Sequence, residues 1–482
     1  MLFNSLEFLF FFPIVTALYF ALPHKYRWFL LLAASCYFYM AFVPIYILIL
    51  GFTIVIDYFA GIMIENAQGR RRKAYLVISI LSNVGVLALF KYYNFINANL
   101  SELLGWFHHE NPIPFLKILL PVGLSFHTFQ AMSYTIEVYR GHQKAERHFG
   151  IYSLYVMFYP QLVAGPIERP QNLLHQFREK HTFEYSRVVA GLRLMLWGMF
   201  KKVVIADRLA VYVDEVFNHP DRYHGLPVIL ASVFFAVQIY CDFSGYSDIA
   251  IGSARVMGFN LMQNFNLPYF STSVREFWTR WHISLSTWFR DYVYFPLGGN
   301  RVKVYRWYFN LMAVFLISGL WHGAKWTFVI WGALHGIYLV IEAILARKGM
   351  GVTEKTGKAG RAIGWMITML LVVLGWIFFR ANTATDALTL LSNFFRFDRA
   401  GLGINVYLGY GSGLADKVEI ILCFLVIAFL FLVNYFERKR PIETIVGEMR
   451  TGGRWLTYYC TTMAILLFGN FSGKAEFIYF QF

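Results

Sequence analysis

Apolar stretches long enough to cross a lipid bilayer recur along this chain, and residues 311–340 form one of them. A helix needs about 20 apolar residues to cross the hydrocarbon core. Of the 482 residues, 58% are hydrophobic and only 15% are charged, which is more apolar surface than a soluble domain needs. The sequence therefore predicts an all-α polytopic membrane protein in which residues 1–482 form a single transmembrane domain.

The expected membrane crossings follow from the apolar stretches and from the basic loops between them. Residues 2–22 lack a basic n-region and a small-residue cleavage site, so we expect a retained helix rather than a signal peptide. Residues 94–114 are expected outside the membrane, and residues 116–138 are expected to return to the cytoplasm. Further spans are expected at residues 188–206, 227–257, 310–345, 363–379, 417–435 and 455–469. Some of these are too long or too polar for one simple crossing, so we expect breaks and re-entrant segments.

The formal net charge of +15 does not indicate nucleic-acid binding. The basic residues lie in short loops between apolar stretches, for example residues 70–73 and 438–440, as the positive-inside rule expects for cytoplasmic loops. The four cysteines show no paired metal-type spacing. We interpret them as packing residues and expect no metal site.

The pair Trp321-His322 lies inside the apolar stretch of residues 311–340. An ionisable side chain at membrane depth is costly, and such residues usually face a protein interior or a wet cavity. Small residues that would let helices approach closely, or leave room for a substrate, surround the pair: Ser318, Gly319, Gly323 and Ala324. A histidine that only hydrogen-bonds a neighbouring helix fits the same pattern, and for His335 a packed or interfacial position is the favoured interpretation.

Two further segments combine polar and aromatic residues. Residues 238–248 place two aspartates, one of them Asp242, in a mostly apolar context, where they line a polar interior as substrate contacts or as a hydrogen-bond network. Residues 274–294, read as one helix, form an apolar face typical of an interfacial amphipathic helix, with Phe277, Trp281, Leu285 and Trp288. Arginines crowd the same stretch and suit anionic lipid or the phosphates of a nucleotide-bearing acyl donor. The binding candidates are Arg275, Arg290 and Arg301.

These segments and residues 159–169 resemble, in sequence and in order, the membrane-bound O-acyltransferase superfamily, most of all its bacterial alginate O-acetylation branch. The longest matching pieces are residues 275–301 and 318–323. The resemblance implies roughly 11 tilted transmembrane helices around a central funnel, plus re-entrant helices that carry the motif histidines. It also implies that His322 is catalytic and that His282 has a supporting role, either orienting the donor or lying at the cytoplasmic mouth.

The resemblance also implies a reaction. The donor is acetyl-CoA or another acyl thioester that enters from the cytoplasm as a substrate, and no permanently bound cofactor is expected. The acyl group crosses the bacterial inner membrane to an extracytoplasmic SGNH-hydrolase-like partner, which O-acetylates a polysaccharide such as alginate within a biosynthesis and export complex. His322 suits a general base because the ordinary pKa of histidine lies near physiological pH. Amides around Gly319 or Gly323 are expected to supply the oxyanion site.

The last six residues, 477–482, carry no charged side chain and four large aromatic ones. Two interpretations stay open. The aromatic side chains anchor the terminus at the membrane interface. Alternatively, by resemblance to the D-alanylation system of the same branch, Tyr479 carries the acyl group as an ester.

Two other classes of function remain at this point. A transporter or flippase also needs polar groups at membrane depth, although the absence of a visible inverted repeat argues against it. A non-catalytic scaffold of an exopolysaccharide export complex has no need for polar core residues. Acyl transfer by a variant that lacks His322 separates these alternatives.

Overall fold

The computed structural model describes residues 1–117, 120–350, 357–398, 401–403, 406, 408, 413–471, 477 and 478. Throughout these residues the regular structure is helical, with no strand, so the all-α prediction is confirmed. The chain divides into two compact units. Unit 1 comprises Met1–Leu192 and Ile249–Met262, and unit 2 comprises Arg193–Asp248 and Gln263–Phe482.

Unit 1 is built from the N-terminal helices. In chain order these are α1 Leu6–Ala21, α2 His24–Met40, α3 Ile47–Asn66, α4 Gly69–Leu87, α5 Tyr93–Trp106, α6 Leu124–Arg140, α7 Phe149–Met157, α8 Tyr159–Leu162, α9 Pro170–Leu173 and the first half of α10, Tyr185–Phe200. A π-helical turn, Ala88–Tyr92, joins α4 to α5. The predicted N-terminal helix is present as α1, whose Ser5 side chain accepts a hydrogen bond from Phe8 N–H and so caps the first turn.

Most of the stretch expected outside the membrane, residues 94–114, is helical, because α5 occupies residues 93–106, and its external location stays a prediction. Polar side chains of this helix hydrogen-bond the backbone of the segment that follows it. Asn94 Nδ2 donates to Leu116 O at 2.8 Å, and Asn97 Nδ2 donates to Ile113 O at 3.1 Å. The polar residues of α5 therefore satisfy backbone carbonyl groups of a neighbouring segment.

The predicted span at residues 116–138 begins later than expected, since α6 begins at Leu124. Gly123, immediately before it, has a left-handed backbone with φ of 77°. A Cβ at this position would lie 2.7 Å from Leu162 O. Only glycine combines this conformation with so close a neighbour, and it fixes where the helix begins.

A buried carboxyl group joins three helices of unit 1. Asp57 of α3 accepts hydrogen bonds from Ser79 Oγ at 2.6 Å and Asn83 Nδ2 at 2.7 Å, both on α4. Ser79 Oγ also lies 2.9 Å from Thr135 Oγ1 on α6. All four side chains are buried, so the network satisfies polar groups that would otherwise be costly at this depth.

Unit 2 holds the remaining helices. They are the end of α10, α11 Asp207–Asn218, α12 Leu226–Met257 (which ends in unit 1), α13 Val274–Arg280, α14 Ile283–Phe289, α15 Val304–His322, α16 Trp326–Arg347, α17 Gly357–Arg380, α18 Ala384–Phe394, α19 Gly413–Glu437, α20 Ile442–Glu448 and α21 Thr451–Phe468. Two π-helical turns, Lys201–Ala206 and Arg290–Tyr294, follow α10 and α14.

The predicted stretch at residues 310–345 breaks, as expected, into the helical hairpin of α15 and α16. Gly323 and Lys325 are extended, and they reverse the chain in three residues. The two helices touch at a pair of glycines. A Cβ on Gly319 would lie 2.3 Å from Phe328 O, and one on Gly332 would lie 2.3 Å from Phe315 O. Close backbone approach at small residues is the usual way in which membrane helices pack.

Six helical segments in the described part of the chain are long and apolar enough to cross a membrane. They are Pro44–Asn66, Gly69–Trp106, Leu226–Met257, Trp326–Arg347, Gly357–Arg380 and Asp416–Glu437. The protein is therefore a multi-pass membrane protein. The expected number of about 11 crossings and the central funnel stay predictions.

Gly332→Ala is expected to destabilise unit 2 by about 1–3 kcal/mol, because the new methyl group collides with backbone rather than with a movable side chain. The measurement is the thermal unfolding midpoint in detergent. Gly51→Ala is the matched control, because a Cβ at this position of α3 meets nothing within 4 Å. Equal midpoints for the two variants would contradict the close crossing of α15 and α16.

Candidate active site

His322 is the last residue of α15, at the point where the hairpin turns. Its side chain is buried, with 5% of the residue exposed. Three aromatic rings surround the imidazole, with centroid distances of 4.9 Å to Trp321, 5.1 Å to Trp331 and 5.3 Å to Phe379. The ring thus lies in an aromatic interior at the carbonyl end of a helix, where the helix dipole favours the positive charge of an imidazolium.

The oxyanion site expected at amides around Gly319 or Gly323 stays a prediction. Gly323 N–H donates to Gly319 O at 3.3 Å, and Gly319 itself lies inside α15. The C-terminal end of a helix presents carbonyl groups, whereas amide donors are free at the N-terminal end. The glycines serve packing. A Cβ on Gly323 would lie 2.1 Å from the ring of Phe328.

His282 lies between α13 and α14, and the amphipathic reading of residues 274–294 as one helix is wrong. The backbone of His282 is left-handed, with φ of 43°, so the helix stops and restarts there. Asn264 holds the restart, because its carbonyl oxygen accepts Ile283 N–H at 2.9 Å and its Oδ1 accepts Ser284 Oγ at 2.6 Å. A strained backbone held by neighbours is typical of functional sites.

The interruption buries His282 completely and brings it near His322. Its imidazole packs edge-on against Phe243, with 4.5 Å between ring centroids. The indole of Trp321 lies 6.2 Å from His282 and 4.9 Å from His322, centroid to centroid. The two motif histidines, which are distant in sequence, therefore share one aromatic neighbour.

A cavity of about 400 Å³ lies between α13, α14, α15 and α16. Its wall is mostly apolar, and the polar side chains in it are Arg275, Thr279, Ser286, Arg290, Asn300 and Ser318. Ser318 precedes His322 by one helical turn, so the cavity reaches the helix that carries the histidine. Arg301 is exposed and is not among the described residues that line this cavity. A cavity that combines two guanidinium groups with an apolar wall fits an anionic ligand that has an apolar arm.

His335 supports one wall of this cavity. Trp278 Nε1 donates to His335 Nδ1 at 3.2 Å, and Trp278 itself lines the cavity. The imidazole is fully buried, and a Cβ on Gly375 would lie 2.8 Å from its Nε2. The packed position expected for His335 is therefore present, and it fixes the orientation of a cavity residue.

Asp242 lies in a buried group of charged side chains. Its Oδ1 is 2.6 Å from Lys202 Nζ, which is also 2.8 Å from Asp207 Oδ1. Lys201 and Lys202 are not among the residues predicted from the sequence, although two adjacent lysines in an expected span are a visible signal. A substrate contact of Asp242 stays a prediction.

Part of the C-terminal tail lies in the same unit. Phe477 and Ile478 are 1% and 2% exposed. The ring of Phe477 is 5.9 Å from that of Phe243, the residue that packs against His282. The predicted acyl carrier Tyr479 lies outside the described residues.

Within the described part of the chain, no group of three or more His, Cys, Asp or Glu side chains is arranged to hold a metal ion. The described site residues are two buried histidines that share the neighbour Trp321, a cavity lined by two arginines, and the buried tail residues Phe477 and Ile478. This arrangement supplies a nitrogen base, a cavity for an anionic ligand and a tail segment packed near the second histidine.

Substitutions at His282 are expected to separate the need for a left-handed backbone at this position from the contribution of the imidazole ring. His282→Asn keeps the left-handed conformation at low cost, because asparagine is enriched there. His282→Val is expected to be less stable than His282→Asn by about 1–2 kcal/mol, since a β-branched side chain opposes this conformation. Thermal unfolding midpoints measure the difference. A valine variant as stable as the asparagine variant would mean that the left-handed turn is not required.

Comparison with known proteins identifies the family of this chain. Residues 74–379 match the model of the MBOAT, or membrane-bound O-acyltransferase, family. The chain is 39% identical over 455 residues to the probable alginate O-acetylase of Pseudomonas aeruginosa, covering 92% of this chain and 84% of that protein. It is 36% identical over 389 residues to the peptidoglycan O-acetyltransferase of Helicobacter pylori, covering 75% and 72%. It is 28% identical over 253 residues to the teichoic acid D-alanyltransferase of Bacillus subtilis, covering 50% and 63%. The chain therefore belongs to the membrane-bound O-acyltransferase family.

Proposed function

We propose that this membrane O-acyltransferase takes an acetyl group from a cytoplasmic thioester donor and passes it across the membrane for O-acetylation of an extracytoplasmic polysaccharide such as alginate. The observation that carries the proposal is the cavity beside α15. Two guanidinium groups line it, and Ser318 in its wall lies one turn before His322. Family membership supplies the reaction class, and the cavity supplies a site for the donor.

The donor is proposed to be acetyl-CoA, bound as a substrate and not as a resident cofactor. Arg275 and Arg290 are suited to its phosphates because a guanidinium group binds phosphate through paired charge-assisted hydrogen bonds. The apolar wall suits the thioester arm. The basic loops support a cytoplasmic location for this region, where acetyl-CoA is available.

His322 is proposed to act as the general base. Its imidazole removes the proton of an acceptor hydroxyl, and the hydroxyl oxygen attacks the thioester carbonyl carbon. The C–S bond then breaks, and the imidazolium returns its proton to the departing thiolate. The position of His322 at the C-terminus of α15 supports this role, since the helix dipole stabilises the transient imidazolium.

Tyr479 is proposed as the first acceptor. Its phenol oxygen takes the acetyl group as an aryl ester, and the thiol leaves with the phenolic proton. An alcohol of the extracytoplasmic SGNH-hydrolase-like partner then attacks this ester and regenerates the phenol. A phenyl ester is reactive enough for onward transfer. The buried position of Phe477 and Ile478, the residues just before Tyr479, supports the proposal.

The final acceptor is inferred from the relatives, whose names specify alginate, peptidoglycan and teichoic acid, all polymers of the bacterial envelope. Identity over most of the chain favours alginate or a similar exopolysaccharide. We therefore infer a location in the bacterial cytoplasmic membrane, in contact with membrane lipid, within a polysaccharide biosynthesis and export complex.

His322→Ala is expected to reduce acetyl transfer by about 100- to 10,000-fold, the usual contribution of a general base. The measurement is transfer of labelled acetyl groups from acetyl-CoA in membranes that contain equal amounts of protein. His219→Ala is the control, since the His219 side chain bonds Glu215, four residues earlier in the chain. Near-normal transfer by a correctly inserted His322→Ala protein would exclude the assigned role.

Arg275→Gln and Arg290→Gln are each expected to raise the KM for acetyl-CoA several-fold, equivalent to about 0.5–1.5 kcal/mol, and to change kcat little. Arg306→Gln is the control, because Arg306 belongs to the same basic stretch but does not line the cavity. Arg301→Gln tests the third predicted arginine separately.

A second donor identifies the group that the arginines bind. With acetylated pantetheine, which lacks the nucleotide, the KM values of the wild type and of both variants should coincide. A raised KM that persists with this short donor would show that the arginines act on the fold of the cavity and not on the phosphates.

A further inference from the structure

The described end of the C-terminal tail is held by its backbone. Ile478 N–H donates to Asp242 Oδ2 on α12 at 2.7 Å, in a buried position. The preceding ring, that of Phe477, packs 4.6 Å from Tyr246 and 5.9 Å from Phe243, both on the same helix. The tail therefore combines an aromatic contact with one main-chain hydrogen bond to a carboxylate.

Asp242 is itself held in place by a buried cation. Lys202 Nζ lies 2.6 Å from the other carboxylate oxygen of Asp242 and 2.8 Å from Asp207 Oδ1. The three side chains are between 3% and 4% exposed. Lys202 lies in the π-helical turn Lys201–Ala206, which turns both consecutive lysines inward, and Lys201 pairs with Asp248 at 2.7 Å.

The two carboxylates that contact Lys202 are not equivalent. One carboxylate is enough to neutralise Lys202, and Asp207 supplies one. The side chain of Asp207 makes no contact with the described tail residues, Phe477 and Ile478. Asp242 supplies the second negative charge and divides its two oxygens between the lysine and the tail. A buried carboxylate needs donors on both oxygens, so Asp242 is best satisfied when the tail is in place.

We propose that Asp242 is a positioning residue that anchors the C-terminal tail through Ile478 N–H, with Lys202 holding the carboxylate in the required orientation. The inference rests on the proposed function in one respect. Tyr479 follows Ile478 by one peptide bond, and an anchored Ile478 limits the positions that the phenol can reach. The anchoring hydrogen bond is made by the backbone N–H of Ile478, so it does not depend on the isoleucine side chain.

Hydrogen exchange measured by mass spectrometry on the C-terminal peptide of the full-length protein tests the anchor without any acyl donor. In the wild type, Ile478 N–H should exchange slowly. Asp242→Asn should accelerate this exchange by about tenfold or more, because an amide side chain cannot accept from Ile478 and also satisfy Lys202. Asp207→Asn is the matched control. It removes the same charge from the same lysine, and it should leave the exchange within about twofold of the wild type.

A second variant leaves the charged side chains untouched, in case Asp242→Asn fails to fold. Ile478→Pro removes the amide hydrogen and should release the tail, as seen by faster removal of the terminal residues by carboxypeptidase. Ile478→Val keeps the amide and should digest at the wild-type rate. In the acetyl-transfer assay Asp242→Asn and Ile478→Pro should both be slow, whereas Asp207→Asn and Ile478→Val should be close to normal.

Three results would overturn the proposal. One is rapid exchange of Ile478 N–H in the wild type, and another is equal acceleration by Asp242→Asn and Asp207→Asn. The third is a released tail combined with wild-type acetyl transfer, because anchoring would then not serve the reaction. Failure of the proposed function gives a different result, in which His322→Ala is fully active while Asp242→Asn still releases the tail.

Discussion

The close contact of α15 and α16 at Gly319 and Gly332 is the constraint on which the site depends. It brings two backbones to a separation that excludes even a methyl group, so the turn between the helices has only three residues. His322 ends the first helix, and Trp331 of the second helix packs against it at 5.1 Å. The histidine therefore occupies a fixed position at a helix end, which suits the proposed general base because such a base must meet the carbonyl carbon in a defined geometry.

Buried charge is the second organising feature of unit 2. Lys202, Asp207 and Asp242 are nearly inaccessible, and removing Lys202 would be costly because it leaves two buried carboxylates uncompensated. The group therefore fixes α12 against the π-helical turn after α10. The second carboxylate oxygen of Asp242 accepts a hydrogen bond from the backbone amide of Ile478 in the tail. The carboxylate of Asp242 therefore takes part in the structural ion pair and also binds the tail.

Local patterns predicted the helices well but not the places where distant segments interrupt them. The length of the apolar stretch at residues 310–345 exceeded one crossing, which correctly indicated a break. The break at His282 had no such signal, because the aromatic spacing around it is helical. Asn264, from another segment, imposes the left-handed turn. Likewise, the motif identified His322 and His282 as candidates, but only packing shows that Trp321 joins them.

The lining of the cavity and the contacts of the tail could not be predicted from the sequence, for the same reason. Four helices and the segment that joins α14 to α15 form the cavity wall, which includes two of the three predicted arginines but not Arg301. The aromatic tail is unusual in sequence, but nothing in the sequence pairs it with Asp242, for which a substrate contact and a hydrogen-bond network are both predicted alternatives. Pairings between residues so far apart depend on the three-dimensional arrangement, which composition and periodicity do not encode.

The most direct measurement is the mass of the C-terminal peptide after the purified protein has been incubated with acetyl-CoA in the absence of its partner. We expect the wild-type peptide to gain one acetyl group, located on Tyr479, and the peptide of a His322→Ala protein to gain none. A wild-type protein that is active with its partner but never carries acetyl on the tail would contradict the acyl-carrier role. Equal acetylation of both proteins would contradict the role of His322.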